Sequence, residues 1–290
     1  MLYIVATPIG NLGDMTHRAV EVLENADIIA AEDTRQSMKL LDHFGISKTR
    51  MVSCHKFNEA SVTAWLITEM QAGRDVAVIT DAGTPCISDP GTLLVEQARA
   101  AGIQITAVPG ACAAIAALSV SGFHAASFAF YGFLPRAIPE IVQVCHDIQK
   151  SNIPVSIFYE SPMRIVKSIE VLEKELPEAR LCLCNDLTKR FERHYTGSPA
   201  DVLVKLNENS KSAYGEYVLV LEHALNSEQL SEEHTLSPEA WVLDRMLYRK
   251  CSMREAIESL TVDGSSGYSK NQLKRAGITL KSLLSCDVTE

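Results

Sequence analysis

Apolar positions along this chain fall into two alternating rhythms. Short apolar runs at 2–6, 26–31, 76–80 and 104–108 have the length of strands, and each ends in a turn rich in Gly, Pro or Asp. Between and around them, at 16–25, 36–44, 59–72, 92–101 and 111–120, the segments have helical length and composition. Strands alternating with helices predict a mainly parallel sheet covered on both faces. After "SVSGFHAAS" (119–127) the pattern restarts, with strands expected at 127–131, 154–159, 180–185, 191–196 and 215–222 and helices at 138–149 and 163–175. The strands lie closer together here, which predicts a mixed sheet with antiparallel pairs. The expected division is therefore a first α/β domain over 1–122, its boundary near 122–126, and a second over 123–222.

Beyond residue 222 the rhythm stops. "EHALNSEQLSEEHTLSPE" (222–239) is acidic and polar without apolar periodicity, so 223–236 reads as a linker. Residues 237–290 read as a helical tail. Helices are expected at 238–249 and 252–260, the first entered by Ser237 and Pro238, and "GYSKNQLKRAG" (267–277) forms a short basic third element.

Charge sharpens that division. The chain carries −9 overall, which argues against a generic nucleic-acid coat. Between Arg245 and Lys281, however, eight Lys or Arg face Glu255, Glu258 and Asp263, a local +5 that leaves −14 elsewhere. A basic tail on an acidic body favours an RNA contact over a merely solvated helix pair. The eight cysteines contain no C-x-x-C, and Cys182 and Cys184 share one strand face, a pattern of buried thiols in a reducing cytoplasm and not of zinc or disulfides. No run of about 18 apolar residues suggests a membrane span. "MLYIVATPIG" lacks a basic leader and reads as the first strand.

Candidate chemistry gathers in four turns. "TPIGNLGD" (7–14), "EDTR" (32–35), "DAGTPCISDPG" (81–91) and "PGACA" (109–113) each follow a predicted strand, so they share one edge of a parallel sheet, the usual ligand crevice of such folds. None is a G-x-G-x-x-G or a G-x-x-x-x-G-K-[ST], so no phosphate loop is present. These segments, with "VPGACAAIAALSVSGF" (108–123), "YGFLP" (131–135), "FYESPMR" (158–164) and "DLTK" (186–189), resemble the tetrapyrrole-methylase-like superfamily. Within it they resemble the branch that methylates the cytidine-1402 ribose 2′-oxygen of 16S ribosomal RNA. The resemblance runs from residue 2 to about 222, and more loosely into the tail.

That resemblance implies two α/β domains with S-adenosylmethionine in the cleft between them, and a homodimer. It places Asp81, Ala82, Gly83 and Thr84 at the methionine end, Pro8 and Ile9 on one wall, and Cys112 and Ala113 at a helix start beside the ligand. It puts Tyr159, Leu187 and Glu216 at the adenosine half. A sulfonium cofactor without phosphates agrees with the absence of a phosphate loop; carbonyls and acids suit its cations and loop N–H groups its carboxylate. Cys112 serves as a small packing residue, not as a reactive thiol.

The implied reaction is an in-line displacement at a ribose hydroxyl, in which alignment supplies much of the rate and a base about 10²–10⁴-fold more. Candidate bases are Lys189, Glu160, Glu32 and Asp33. Each has a structural alternative: Lys189 as a phosphate contact, Glu160 paired with Arg164, and "EDTR" as a self-paired turn with Asp33 capping the next helix. Arg35, Lys189 and Arg190, with Lys270, Lys274 and Arg275 of the tail, are the expected RNA contacts. The chain departs from the branch at Met163, where His is usual, at Asn185 and Asp186, where Arg-Glu is usual, and after "GFLP", where Arg136 stands alone in place of a basic cluster. The competing functions are methylation of a corrin-type tetrapyrrole, methylation of a protein side chain, and a ribosome-assembly factor that no longer turns over.

Overall fold

The computed structural model describes residues 1–47, 49–224 and 237–284 and divides into two compact units, 1–225 and 226–290. The linker expected at 223–236 lies outside the described residues apart from His223 and Ala224.

In the first unit, strands β1 (Leu2–Val5), β2 (Ile28–Ala31), β3 (Arg50–Ser53), β4 (Val76–Ile79) and β5 (Ile105–Val108) form one parallel sheet in the order β3-β2-β4-β1-β5. Helices α1 (His17–Asn25), α2 (Thr34–His43), α3 (Glu59–Gln71) and α4 (Thr92–Ala100) cover it. The two-residue period of the strands sorts the side chains cleanly. Ile29, Ala31, Ala77 and Ile79 point to the face that buries Leu23 of α1 and Leu41 of α2. Ile28, Ala30, Val76 and Val78 point to the face that buries Leu66 and Met70 of α3 and Leu94 of α4. Both faces are filled, which explains why β2 and β4 read as unbroken apolar runs.

A second sheet has the order β6-β7-β10-β8-β9, from β6 (Phe128–Phe133), β7 (Val155–Glu160), β8 (Arg180–Asn185), β9 (Arg193–Gly197) and β10 (Tyr217–Glu222). Only β6 and β7 run parallel; the other pairs are antiparallel, as the close strand spacing predicts. Helices α6 (Ile138–Lys150), α7 (Ile165–Glu175) and α8 (Pro199–Glu208) bury one face around Phe158, Leu183 and Leu219. The opposite face, with Ile157, Cys182, Cys184 and Val218, is covered by Ala114 and Ala117 of helix α5 (Ala113–Ser121). Helix α5 follows β5 in the chain yet packs on the second sheet, so one helix ties the two halves together. Its composition is apolar nearly all round: Ala114 and Ala117 face the second sheet, while Ile115 and Val120 stay about half exposed.

Two elements stand where none was expected. β3 is a four-residue edge strand, and α8 opens with a capping box in which Ser198 and Asp201 satisfy each other's backbone N–H groups. The segment 226–290 contributes α9 (Pro238–Arg249), α10 (Met253–Asp263) and α11 (Lys270–Leu284), which close around Val242, Leu260, Leu273 and Leu280. The basic element expected at 267–277 is thus the first part of a 15-residue helix. Among the described residues no helix is long and apolar enough to cross a membrane.

Phe158 is 1% exposed at the centre of the second core. Phe158→Ala is expected to cost about 3–5 kcal/mol, read as a lower urea midpoint at an unchanged slope.

Candidate functional site

A cleft of about 470 Å³ opens between the carboxyl edge of the first sheet and the loops of the second. That volume lies in the range of small-molecule sites. Four neighbouring strands feed it: Ile9 follows β1, Glu32 follows β2, Thr80 to Thr84 follow β4, and Cys112 and Ala113 follow β5. The outer strand β3 supplies nothing to it. The second sheet adds Tyr159 and Glu160 from β7, Leu187 from the turn after β8, and Glu216, Tyr217 and Val218 at the start of β10. The cleft therefore gathers ten of the eleven residues expected to hold a cofactor; Pro8, next to Ile9, does not line it.

The loop 80–91 is held by hydrogen bonds that its sequence does not advertise. Thr7 N–H donates to Gly83 O at 2.8 Å and Gly83 N–H returns to Thr7 O at 3.1 Å. The Thr7 hydroxyl donates to Thr80 O at 3.0 Å, and that of Thr84 to Ala111 O at 3.0 Å. Gly83 takes φ +90°, a conformation that L side chains rarely adopt. Its N–H is spent on Thr7, so any ligand carboxylate must be met by other donors. The first turn of α5 offers them: its N-cap is Cys112, which gives no side-chain cap. Cys86 and Ser88 in the same loop, and Asp186 and Thr188 across the cleft, are left-handed without being glycine. Strained backbone of this kind collects at functional sites.

Carboxylates crowd one end of the cleft. Thr80, 3% exposed, donates to Glu32 Oε2 at 2.6 Å and lies beside Asp89. Burial pushes the Asp89 carboxyl up to about 6, the Thr80 hydroxyl opposing and the charges of Glu32 and Asp81 adding to the rise. Asp81 is raised too, first by burial and then by Glu32. In the sequence Asp89 is one acid within a Gly-rich turn; only its half-buried setting among other acids distinguishes it from an ordinary turn residue.

The expected bases fare differently. Asp33 accepts from Arg35 N, Nε and Nη2, caps α2, and is held down to about 2 by these bonds. This is the self-paired turn, and it leaves a weak base. The Glu160 side chain is fully buried: Oε1 meets Arg164 and the N–H of Ser161, and Oε2 accepts from Ser168 at 2.6 Å. Lys189 Nζ donates to Asp186 at 2.9 Å and to Glu216 at 2.8 Å. Partial burial opposes its charge, but these two bonds outweigh it and raise its pKa, so Lys189 is a cation and not a base near neutrality. Its stem lies over Gly10, where a Cβ would come within 2.5 Å of Lys189 Cγ. Asn185 and Asp186, two departures from the branch pattern, serve this turn: Asn185 Nδ2 reaches Glu216 O at 3.4 Å and Asp186 N–H donates to Glu216 O at 2.9 Å.

Of the expected RNA contacts, Arg35 is exposed although paired with Asp33, and Arg190 is exposed with its guanidinium over the Phe191 ring. In the helical segment, Lys270, Lys274 and Arg275 are exposed, and Lys270, Lys274 and Lys281 fall on one face of α11 by their spacing. Arg245 is not part of that surface, because Asp263, Ser259 and Ser265 hold it inside the three-helix unit. Among the described residues no group of His, Cys, Asp or Glu is arranged to hold a metal.

Residues 1–202 match the family model of the tetrapyrrole (corrin/porphyrin) methylases. The chain is 38% identical over 279 residues to ribosomal RNA small subunit methyltransferase I of Pasteurella multocida, covering 96% of each chain. It is 42% identical over 231 residues to the protein of that name from Escherichia coli O157:H7, covering 79% of this chain and 80% of that one. Among solved structures, diphthine synthase superposes with a TM-score of 0.61 at 16% identity, over 79% of this chain and 93% of that one, which shows the fold.

The Glu160 contacts carry a direct test. Arg164→Met leaves a buried carboxylate without its cation and is expected to cost about 3–5 kcal/mol, measured by urea unfolding. A change near zero would mean that this pair is not structural.

Proposed function

The chain belongs to the tetrapyrrole (corrin/porphyrin) methylases, and on that premise we propose that it is an S-adenosylmethionine-dependent methyltransferase of small-subunit ribosomal RNA, acting on a cytidine ribose 2′-oxygen. One observation carries the choice of substrate. The ribosomal RNA small subunit methyltransferases I match at 38–43% identity, and the one from Pasteurella multocida matches over 96% of the chain, helical tail included. A tetrapyrrole or protein substrate leaves residues 237–284 without a task.

The cleft fits the cofactor. Its apolar walls, Ile9, Leu187 and Tyr159, suit an adenosine. Asp81 suits the cofactor's ammonium, and the uncapped start of α5 suits its carboxylate. When bound, the cofactor supplies an activated methyl group. The chain's own part is to align donor and acceptor, exclude water and take up one proton. Lys189, held as a cation by Asp186 and Glu216, is a proposed contact for an RNA phosphate. The exposed face of α11 is the proposed phosphate contact, and a dimer in the cytoplasm is the proposed working form.

Two outcomes are expected. Purified protein should transfer methyl groups from S-adenosylmethionine to small-subunit RNA or particles, with the product located by mass spectrometry, and Gly83→Val should abolish cofactor binding in calorimetry. A variant with undiminished affinity would move the cofactor away from the Thr7–Gly83 loop. Truncation after Glu233 should preserve cofactor binding yet weaken RNA binding. If four exposed basic residues meet phosphates, the slope of log affinity against log salt should fall by about three units. An unchanged slope would assign the tail a role other than phosphate contact.

A further inference from the structure

The residues that suit the cofactor line only part of the cleft. The remaining lining comprises Glu32, Thr80, Ser88, Asp89, Phe133 and Ser161, with Ile87 and Pro162. Two acids, Glu32 and Asp89, lie in this group, and Phe133, 58% exposed, stands edge-on to Tyr159 at 5.6 Å. A bare aromatic face beside polar groups is what an unstacked nucleotide uses. Resting on the proposed function, we infer that this is the acceptor end and that Asp89 is the base that takes the proton of the ribose hydroxyl, with Thr80 and Glu32 as positioning residues behind it.

The inference stands first on elimination by geometry. Asp33 is consumed by Arg35, Glu160 by Arg164, Ser161 and Ser168, and Lys189 is held as a cation by two carboxylates. Glu32 already accepts the Thr80 proton at 2.6 Å. Asp81 receives the backbone N–H of Asp33. Asp89 lines the cleft beside Thr80 and, like Glu32 and Asp81, has no ion-pair partner among the described residues; unlike Asp81 it takes no backbone N–H.

A hydroxyl has one hydrogen. The Thr80 hydroxyl gives it to Glu32 at 2.6 Å and also favours the ionised form of Asp89, so the two carboxylates share a single donor. The charged groups that act on Asp89 do so in one sense: Glu32 at the end of β2 and Asp81 at the end of β4 both raise it, and the neighbouring Cys86 thiol and Tyr159 phenol are not cations. With its carboxyl near 6, Asp89 is ionised at neutral pH yet basic enough to accept a proton. In the balanced step the O–H pair stays on the ribose oxygen and forms the O–CH₃ bond, the proton goes to Asp89, and the S–CH₃ bonding pair goes to sulfur.

Asp89→Asn is the test. Turnover on small-subunit particles should fall about 10²–10⁴-fold, with S-adenosylmethionine affinity by calorimetry within about threefold of the unaltered protein. The acid limb of kcat/KM, expected near pH 6, should disappear. In Glu32→Gln the limb should survive but move to lower pH, because one of the charges that raises Asp89 is gone. A second readout needs no activity. The folded pKa lies above the unfolded one, so the folded state binds the proton more tightly between about pH 4 and 6. The Asp89 contribution to stability is then fully present below pH 4 and lost as pH rises through 6. Asp89→Asn should therefore gain in Tm relative to the unaltered protein between pH 4 and 7.5, where a merely structural side chain would lose Tm at both. An active parent with a variant that keeps turnover or the acid limb would overturn the role of Asp89. A parent that binds cofactor but methylates no small-subunit RNA would overturn the proposed function itself, and this inference with it.

Discussion

Two backbone hydrogen bonds between Thr7 and Gly83 are the constraint on which the cleft depends. They join the turns after β1 and β4, neighbouring strands of one sheet, into a short antiparallel bridge. Everything on the first wall refers to that bridge: Ile9 on one side, Asp81 and Thr84 on the other, and Ala111 through the Thr84 hydroxyl. The bridge requires Gly83 at φ +90°, and it removes that residue's N–H and C=O from ligand duty. The opposite wall is built by different means. There a cation, Lys189, is shared by two acids over a close approach to Gly10. One wall is fixed by backbone geometry and the other by partly exposed charge, so the second is the softer of the two.

The charge distribution shows where stability has been given up. Glu32, Asp81 and Asp89 converge at the carboxyl ends of β2 and β4, and burial raises two of them although Arg35 partly offsets Asp81. A sequence optimised for folding alone would separate these acids or pair them, as it pairs Glu160 with Arg164 one helical turn away. Crowded, half-buried carboxylates at the edge of a well-packed sheet are the familiar mark of a site where function overrides local stability.

Much of the architecture was legible in the chain because the apolar runs are long and their turns distinctive. The buried strands β1, β2 and β4 and the helices between them follow from period and punctuation alone. β3 was missed because Arg-Met-Val-Ser is short, polar at both ends and at the sheet edge. α8 was missed although "SPAD" carries a complete capping box; its apolar positions, Val202 and Leu206, are too few to stand out from the strands on either side. The cleft lining followed from the motif resemblance, but the division of labour within it did not. Whether Glu160 is free or consumed depends on Ser168, eight residues away on another element. What raises Asp89 comes from Glu32 and Asp81, which the fold brings to it across the sheet edge. Pairings of that kind exist only in three dimensions.

The turn at 214–216 has a bearing on how such chains diverge. Gly215, at φ +88°, leaves a hollow into which Asp186 and Asn185 reach; a Cβ there would lie 2.5 Å from Asp186 Oδ2 and 2.7 Å from Asn185 Nδ2. Positions 185, 186 and 215 are thus one steric unit drawn from two separate stretches of chain. Two of the residues by which this chain departs from its branch, Asn185 and Asp186, cannot drift independently of the glycine opposite them. Exchanges of side chains between relatives at this turn should succeed as a set and fail singly, so the substitution history of the turn is expected to record linked steps and not isolated ones.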